Sequence, residues 1–163
     1  GQVLQIGNEQ FTLHIEEKDK QSSSGRIIGN IIHLFIGASL SSDVKAKHTR
    51  TLLSRVIAHR RLSALKNKIE ELNKKHFNVQ VSKIFFKNIS SRWGSCSSQG
   101  NINISTRLLF APNEVLESVC VHELAHRIQA NHSDAFWALV KNAMPNYDEK
   151  RQWLNQNGDK CAF

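Results

Sequence analysis

Apolar and polar residues alternate from Phe11 to Ile15, as on a strand with one buried face. Lys18 to Gly25 is polar and predicts a turn or loop. Arg26 to Ile28 and Ile31 to Ile36 then flank Gly29-Asn30, a short hairpin signal. The period changes after Ser41-Ser42-Asp43, which can cap a helix. Leu52, Val56, Leu62, Leu65, Ile69 and Leu72 form a helical stripe that predicts one long helix to about Lys75, with room for a break near Arg60. Val79 to Ile89 is rich in β-branched and aromatic residues and predicts a strand. Asn101 to Ser105 predicts another, reached through Gly94 and a turn over Ser97 to Gly100. From about Asn113 to Ala130, Val115, Leu116, Val119, Cys120, Leu124, Ala125 and Ile128 recur at spacings of three and four. Pro112 suits the first turn of this helix, and Glu114 and Glu117 complement its dipole. A helix from Ser133 should end before Pro145, and a last one should run from Asn146 to Gly158.

The helix predicted over Asn113 to Ala130 carries His122-Glu123-Leu124-Ala125-His126. Positions four apart on a helix differ by about 40° and about 6 Å, so the two imidazoles can reach one ion while Glu123 addresses a water beside it. Chance places such an HExxH in a chain of this composition about 2% of the time. A third histidine, His132, follows. Continued helix would turn it by about 240° and carry it about 9 Å away, so a shared metal requires the helix to break first. Asn131 tolerates a left-handed conformation, Ser133 can cap a new helix, and Asp134 suits its dipole. Metzincins have the same spacing between first and third His but place Gly where this chain has Gln129, and no Met-turn is evident; Met144 is better read as packing. The plain alternatives are a polar groove lined by the motif and a surface role for His132.

The stretch from Ser90 to Gly158 contains Ser-Arg-Trp-Gly-Ser-Cys-Ser at 91 to 97, Arg-Leu-Leu-Phe-Ala-Pro at 107 to 112, the HExxH, Asn-His-Ser-Asp-Ala-Phe-Trp from Asn131, and Trp153-Leu154. It closely resembles the YgjP-like metallopeptidase domain and, more distantly, SprT-like and WLM proteases. About 70 residues carry the specific match, and the N-terminal half agrees in layout. The resemblance implies a compact α+β, zincin-like domain whose small mixed or antiparallel sheet packs against the long basic helix and the HExxH helix. Residues 1–163 would form one domain, with N-terminal strands over 1–40, a basic helical segment over 43–76 and a catalytic core over 79–158. It also implies Zn2+ held by His122, His126 and His132, with Glu123 as catalytic base, and hydrolysis of peptide bonds. Thr106 departs from relatives that have a large aromatic there. A zincin sheet edge accepts an extended peptide, and Ser91 to Ser105 is the candidate edge. Arg92 could anchor a carboxylate or steady an oxyanion, and Trp93 could contact substrate or pack as a core aromatic. Tyr147 could donate to an oxyanion or pack beside the last helix, and Trp137 and Trp153 read as core. Asp134, Asp148 and Glu149 are candidate partners for the imidazoles.

With 163 residues, 40% of them apolar, the chain can build an ordinary core. No run approaches a membrane span and no secretory leader is visible, so the cytoplasm is the expected compartment. Three widely spaced cysteines do not suggest a disulfide framework, and Cys96 lacks an assignable activating partner. The net charge of +8 is concentrated: Lys45 to Lys75 alone sums to +8, and the rest of the chain to zero. This segment could contact DNA or RNA, although a solvated helix face is the simpler reading, because no aromatic platform accompanies it. Two other functions stay open. One is a zinc hydrolase of nucleotide phosphoanhydrides; the other is a non-catalytic nucleic-acid or protein binding module with a retained metal site. Three imidazoles would also accept cobalt, nickel or copper. Oligomeric state and cleavage preference are not legible.

Overall fold

Four strands open the chain: β1 (Gln2–Ile6), β2 (Glu9–Lys18), β3 (Ser24–Ile28) and β4 (Ile31–Gly37). They are seen in a computed structural model that describes residues 1–19 and 21–161. The sheet order is β1-β2-β4-β3, with two antiparallel hairpins joined by a parallel pairing of β2 with β4. The β3–β4 hairpin turns at Gly29, whose φ of 59° lies in the region glycine adopts without strain. Alternation assigns the faces: Phe11 and Leu13 of β2 and Ile32, Leu34 and Ile36 of β4 are buried, while His14 is exposed and His33 and Phe35 are half-buried.

Helix α1 (Ser42–Leu72) runs unbroken past Arg60, where the sequence left room for a break. Its first half buries Leu52, Leu53 and Ile57. A side chain at Gly25 would lie 2.7 Å from Leu34 and 3.1 Å from Val56, so the missing Cβ lets helix and sheet approach closely. Polar ties join the same elements: Ser23 Oγ lies 2.8 Å from His48 Nδ1, Lys45 pairs with Glu17 at 2.9 Å, and Arg61 with Glu9 at 3.0 Å. Residues Gly1–Arg61 form one compact unit.

A second compact unit begins at Leu62. Here α1 buries Leu65 and Ile69 and closes in a π turn over Asn73–Phe77, ended by Asn78 at φ 55°. The Asn73 amide then clamps the next segment, donating to the Val79 carbonyl at 2.7 Å and accepting from the Val79 N–H at 2.9 Å. Residues 79–83 lie outside the sheet, and the strand predicted over Val79 to Ile89 contracts to β5 (Ile84–Lys87). It pairs in parallel with β7 (Ile102–Ser105), and β6 (Gly94–Cys96) pairs antiparallel on the other side, giving the order β5-β7-β6. The expected α+β class is thus realised with two small mixed sheets.

Helices α2 (Asn113–Ala125), α3 (Asp134–Ala143) and α4 (Tyr147–Asn157) complete this unit. Ile102 and Ile104 of β7, Val119, Cys120 and Leu124 of α2, Phe136 and Val140 of α3 and Leu154 of α4 share its core. Each large apolar side chain buried there stabilises the fold by about 1.5–3 kcal/mol. The HExxH helix is shorter than predicted, ending at Ala125 instead of Ala130. No helix among the described residues is long and apolar enough to cross a membrane.

Candidate metal centre

The early end of α2 forms the site. His126 keeps helical angles, and its N–H still reaches the His122 carbonyl at 3.3 Å, so the HExxH spacing holds. The chain then tightens: Arg127 N–H donates to the Leu124 carbonyl and Ile128 N–H to the Ala125 carbonyl, both at 3.0 Å. These bonds to the third residue back end the helix. Asn131 was expected to do so in a left-handed conformation, but Asn78 is the only non-glycine with positive φ among the described residues. Ser133 caps α3 as expected, its Oγ accepting from Phe136 N–H at 3.3 Å, and this leaves His132 facing back toward α2.

The Nε2 atoms of His126 and His132 each lie 3.2 Å from Nε2 of His122, and the three histidines offer ligand atoms within 4.8 Å of one another. A tetrahedral zinc with Zn–N of 2.0–2.1 Å requires ligand nitrogens about 3.3 Å apart. Two of the three pairs meet that spacing and the third stays within 4.8 Å, so the trio can converge on a zinc ion with a fourth position left for water or substrate.

The other ring nitrogens face partners. His126 Nδ1 lies 3.1 Å from the Gln129 carbonyl, which can only accept, so its proton sits on Nδ1 and Nε2 presents a lone pair to the shared point. His122 Nδ1 lies 2.8 Å from the Tyr147 hydroxyl, which also receives Arg151 Nη1 at 3.3 Å. Asp134, Asp148 and Glu149 bond none of the imidazoles among the described residues. Asp148 pairs instead with Lys141 at 3.3 Å. Phe136, fully buried, lies beneath all three rings with centroids 4.9, 4.5 and 4.9 Å from those of His122, His126 and His132. Trp137, read as core, packs on the core but also stacks on His132 at 5.7 Å. Met144 packs against the core.

Burial drives the His122 pKa down to about 3, helped by His126, His132 and Arg151, and burial lowers His126 as well. Both effects favour the neutral imidazole that a metal needs. Glu123 is only 5% exposed, and burial lifts its carboxyl to about 7 against the opposing pull of Arg92. Its Oε2 is so close to β6 that a Cβ at Gly94 would lie 3.0 Å from it.

These groups line one cavity of about 740 Å³, together with Arg92, Trp93, Cys96 and Tyr147. The structure thus brings His122, Glu123, His126, His132, Arg92, Trp93 and Tyr147 to one cavity and leaves Asp134, Asp148 and Glu149 outside its lining. Arg92 is exposed at the rim. Trp93 is half-buried, its ring 3.9 Å from the Arg107 guanidinium and packed against Gly158. The Cys96 thiol is raised by burial and by Glu123, and its Sγ lies 3.6 Å from the Ser97 carbonyl, an environment that does not activate a nucleophile. Sequence reasoning missed Arg151 and the floor role of Phe136. Phe136 lies four residues beyond His132, the one local hint of its position.

A family model for the YgjP-like metallopeptidase domain matches residues 1–157. The fold is similar to that of the metallopeptidase zymogen abylysin of Pyrococcus abyssi, at 20% identity and a TM-score of 0.51, covering 56% of this chain and 92% of that one. Jannalysin of Methanocaldococcus jannaschii, also a metallopeptidase zymogen, aligns at 20% identity and a TM-score of 0.49, over 56% of this chain and 93% of that one. Comparison with curated proteins gives no match.

Proposed function

The chain belongs to the YgjP-like metallopeptidase family, a zinc peptidase family, and on that premise we propose that it cleaves peptide bonds at the three-histidine centre with Glu123 as general base. The observation that carries this is the approach of His126 Nε2 and His132 Nε2 to within 3.2 Å of His122 Nε2, with a buried carboxyl in the same cavity. His122, His126 and His132 would hold the zinc. When bound, zinc lowers the pKa of water to around 7 and polarises the scissile carbonyl. Glu123 takes a proton from the attacking water on its carboxylate and delivers it to the leaving amine nitrogen. Burial raises this carboxyl in the metal-free site, and a bound dication would pull it back toward the carboxylate that accepts the proton.

Tyr147 positions His122 through Nδ1, since its hydroxyl is already engaged there and by Arg151. Arg92, which makes no side-chain hydrogen bond among the described residues, is the candidate to meet substrate or a developing oxyanion, and Trp93 forms the wall beside it. The extended peptide would pair along β6, the edge strand that borders the cavity.

The test is zinc content with casein and nucleoside triphosphate hydrolysis for the wild type and Glu123→Gln. About one zinc per chain in both proteins, with proteolysis lost only in the variant, supports the reading. Hydrolysis of the triphosphate alone replaces it with the phosphoanhydride reading, and zinc without either activity replaces it with the binding-module reading.

A nucleic-acid contact through α1 is a second proposal. Lys47, Arg50, Arg55 and Arg60 are exposed and carry no ion pair among the described residues, unlike Lys45, Arg61 and Lys68. If they dock on phosphates, DNA binding falls steeply with salt and the slope shrinks by about one per cation replaced by Gln. Salt-independent or absent binding leaves these cations as a solvated helix face.

A further inference from the structure

We infer that this centre selects substrates that carry a carboxylate close to the scissile bond, gripped by Arg92 and Arg151. The inference rests on the peptidase reading above and adds a substrate class to it.

Charge in the cavity is one-sided. Arg92, Arg127 and Arg151 line it, and the acid that lines it is Glu123, which the reaction uses. Arg127 is committed to structure, with Nε on the Gln80 carbonyl at 2.9 Å and Nη1 on the Ser98 carbonyl at 3.1 Å. The other two are not. Arg151 gives one N–H to Tyr147 at 3.3 Å and has no acid partner among the described residues. Arg92 is held by its backbone: its carbonyl accepts from Arg107 Nη2 at 3.2 Å, and Arg107 is itself fixed on the Ile89 carbonyl at 3.0 Å. Its guanidinium is left exposed and without a hydrogen bond among the described residues.

Three lysines of this unit meet acids, Lys68 with Glu117, Lys141 with Asp148 and Lys150 with Glu114, and none of these pairs lines the cavity. With the metal bound, these two guanidinium groups would stand beside a dication, and the acid that lines the cavity, Glu123, is reserved for the reaction, so basic residues would be repelled and planar forked donors left open. That donor shape matches a carboxylate. The carboxylate can come from an acidic side chain or from the free C-terminus of the peptide.

The test uses the zinc-loaded full chain and quenched peptides that differ only by Glu, Gln or Lys at each of three positions on either side of the cleaved bond. A second set compares a free C-terminal acid with its amide. We expect kcat/KM for the Glu peptide to exceed that for the Gln peptide about tenfold to hundredfold at one position. The ratio should fall toward one in Arg92→Gln combined with Arg151→Gln, and should shift toward the Lys peptide in Arg151→Glu. If Arg92 served an oxyanion only, both peptides would slow alike and the ratio would persist. Binding of the same peptides to zinc-loaded Glu123→Gln, read by fluorescence anisotropy, should show the same ratio without turnover. An acid-over-amide preference alone assigns the C-terminal carboxylate, and a Glu-over-Gln preference assigns the side chain. Equal handling of acid and neutral peptides, or a ratio that survives loss of both arginines, overturns the inference but not the peptidase reading. If no peptide is cleaved, the peptidase reading fails and the binding ratio alone decides the inference.

Discussion

Replacing Glu123 with Gln should abolish proteolysis and, in the metal-free protein, stabilise the fold at alkaline pH. The carboxyl is 5% exposed, and burial raises its pKa from an ordinary 4.5 to about 7, with Arg92 pulling the other way. A raised folded value means that the native state holds the proton more tightly than the unfolded chain. Stability is then fully present below pH 4.5 and is lost as pH rises through 7. The gap from 4.5 to about 7, at about 1.4 kcal/mol per pH unit, sets a ceiling of about 3 kcal/mol. Gln keeps the shape without the charge, but its buried amide needs partners, which reduces the gain by about 1 kcal/mol.

That amide cost does not vary with pH, so the difference between the two proteins should grow by about 3 kcal/mol between pH 4.5 and 8.5, in favour of Gln. His122 acts in the opposite sense. Its depressed value near 3 gives stability that is present above the ordinary 6.5 and lost as pH falls toward 3. Because both proteins share His122, it cancels in the comparison. Urea unfolding with a chelator present, at four pH values and with unchanged m, measures the difference. A gap that does not vary with pH, or a Gln variant that loses as much stability on the alkaline side as the wild type, refutes the claim that a buried carboxyl at this position is strained by its own charge.

Gly94→Ala places a Cβ 3.0 Å from Glu123 Oε2 and from Val119 Cγ1, and 3.1 Å from the Asn103 carbonyl. It should cost about 1–3 kcal/mol in stability and at least about tenfold in kcat/KM while zinc stays bound; full activity would show that Glu123 is not confined by β6. Tyr147→Phe removes the hydroxyl 2.8 Å from His122 Nδ1, so zinc affinity measured by chelator competition should fall about 10- to 100-fold. An unchanged affinity would deny Tyr147 its positioning role. Cys96 is half-buried, whereas Cys120 and Cys161 are 0% and 2% exposed and all three thiols are raised by burial. A thiol reagent should accordingly count one cysteine in the folded protein and three in urea; three fast-reacting thiols in the native state would contradict the packing around α2 and the C-terminal turn.

The placement of the centre's side chains was legible where a single helix carries them. His122, Glu123 and His126 need only the helical period, and the structure keeps that period through His126. His132 needed one further step, that the helix must stop. How it stops depends on Arg127 and Ile128 bonding to the third carbonyl back, a choice that nothing in their side chains announces. The strand predicted from Val79 failed for a similar reason. Its β-branched and aromatic content suits a strand, but the Asn73 side chain claims both polar groups of Val79 before a neighbouring strand can. The parallel pairing of β2 with β4 was also beyond reach, because alternation fixes which face is buried and not which strand lies alongside.

The partner of His122 shows where residue chemistry alone misleads. Tyr147, Asp148 and Glu149 are consecutive at the start of α4, and a preference for carboxylates behind metal-bound histidines favours the second and third. Successive helical residues are turned by about 100°, so they cannot all face the core. The aromatic ring gains most from burial, and Tyr147 is accordingly 4% exposed while Asp148 and Glu149 face solvent. Hydrophobic burial thus decides which side chain reaches His122, and the Tyr147 hydroxyl arrives there as the polar end of a core residue. The same rotation leaves Arg151, four residues on, exposed on the cavity wall with its guanidinium on the Tyr147 hydroxyl. The place of Arg151 beside the centre follows from the packing of Tyr147, which is why the motif alone did not reveal it.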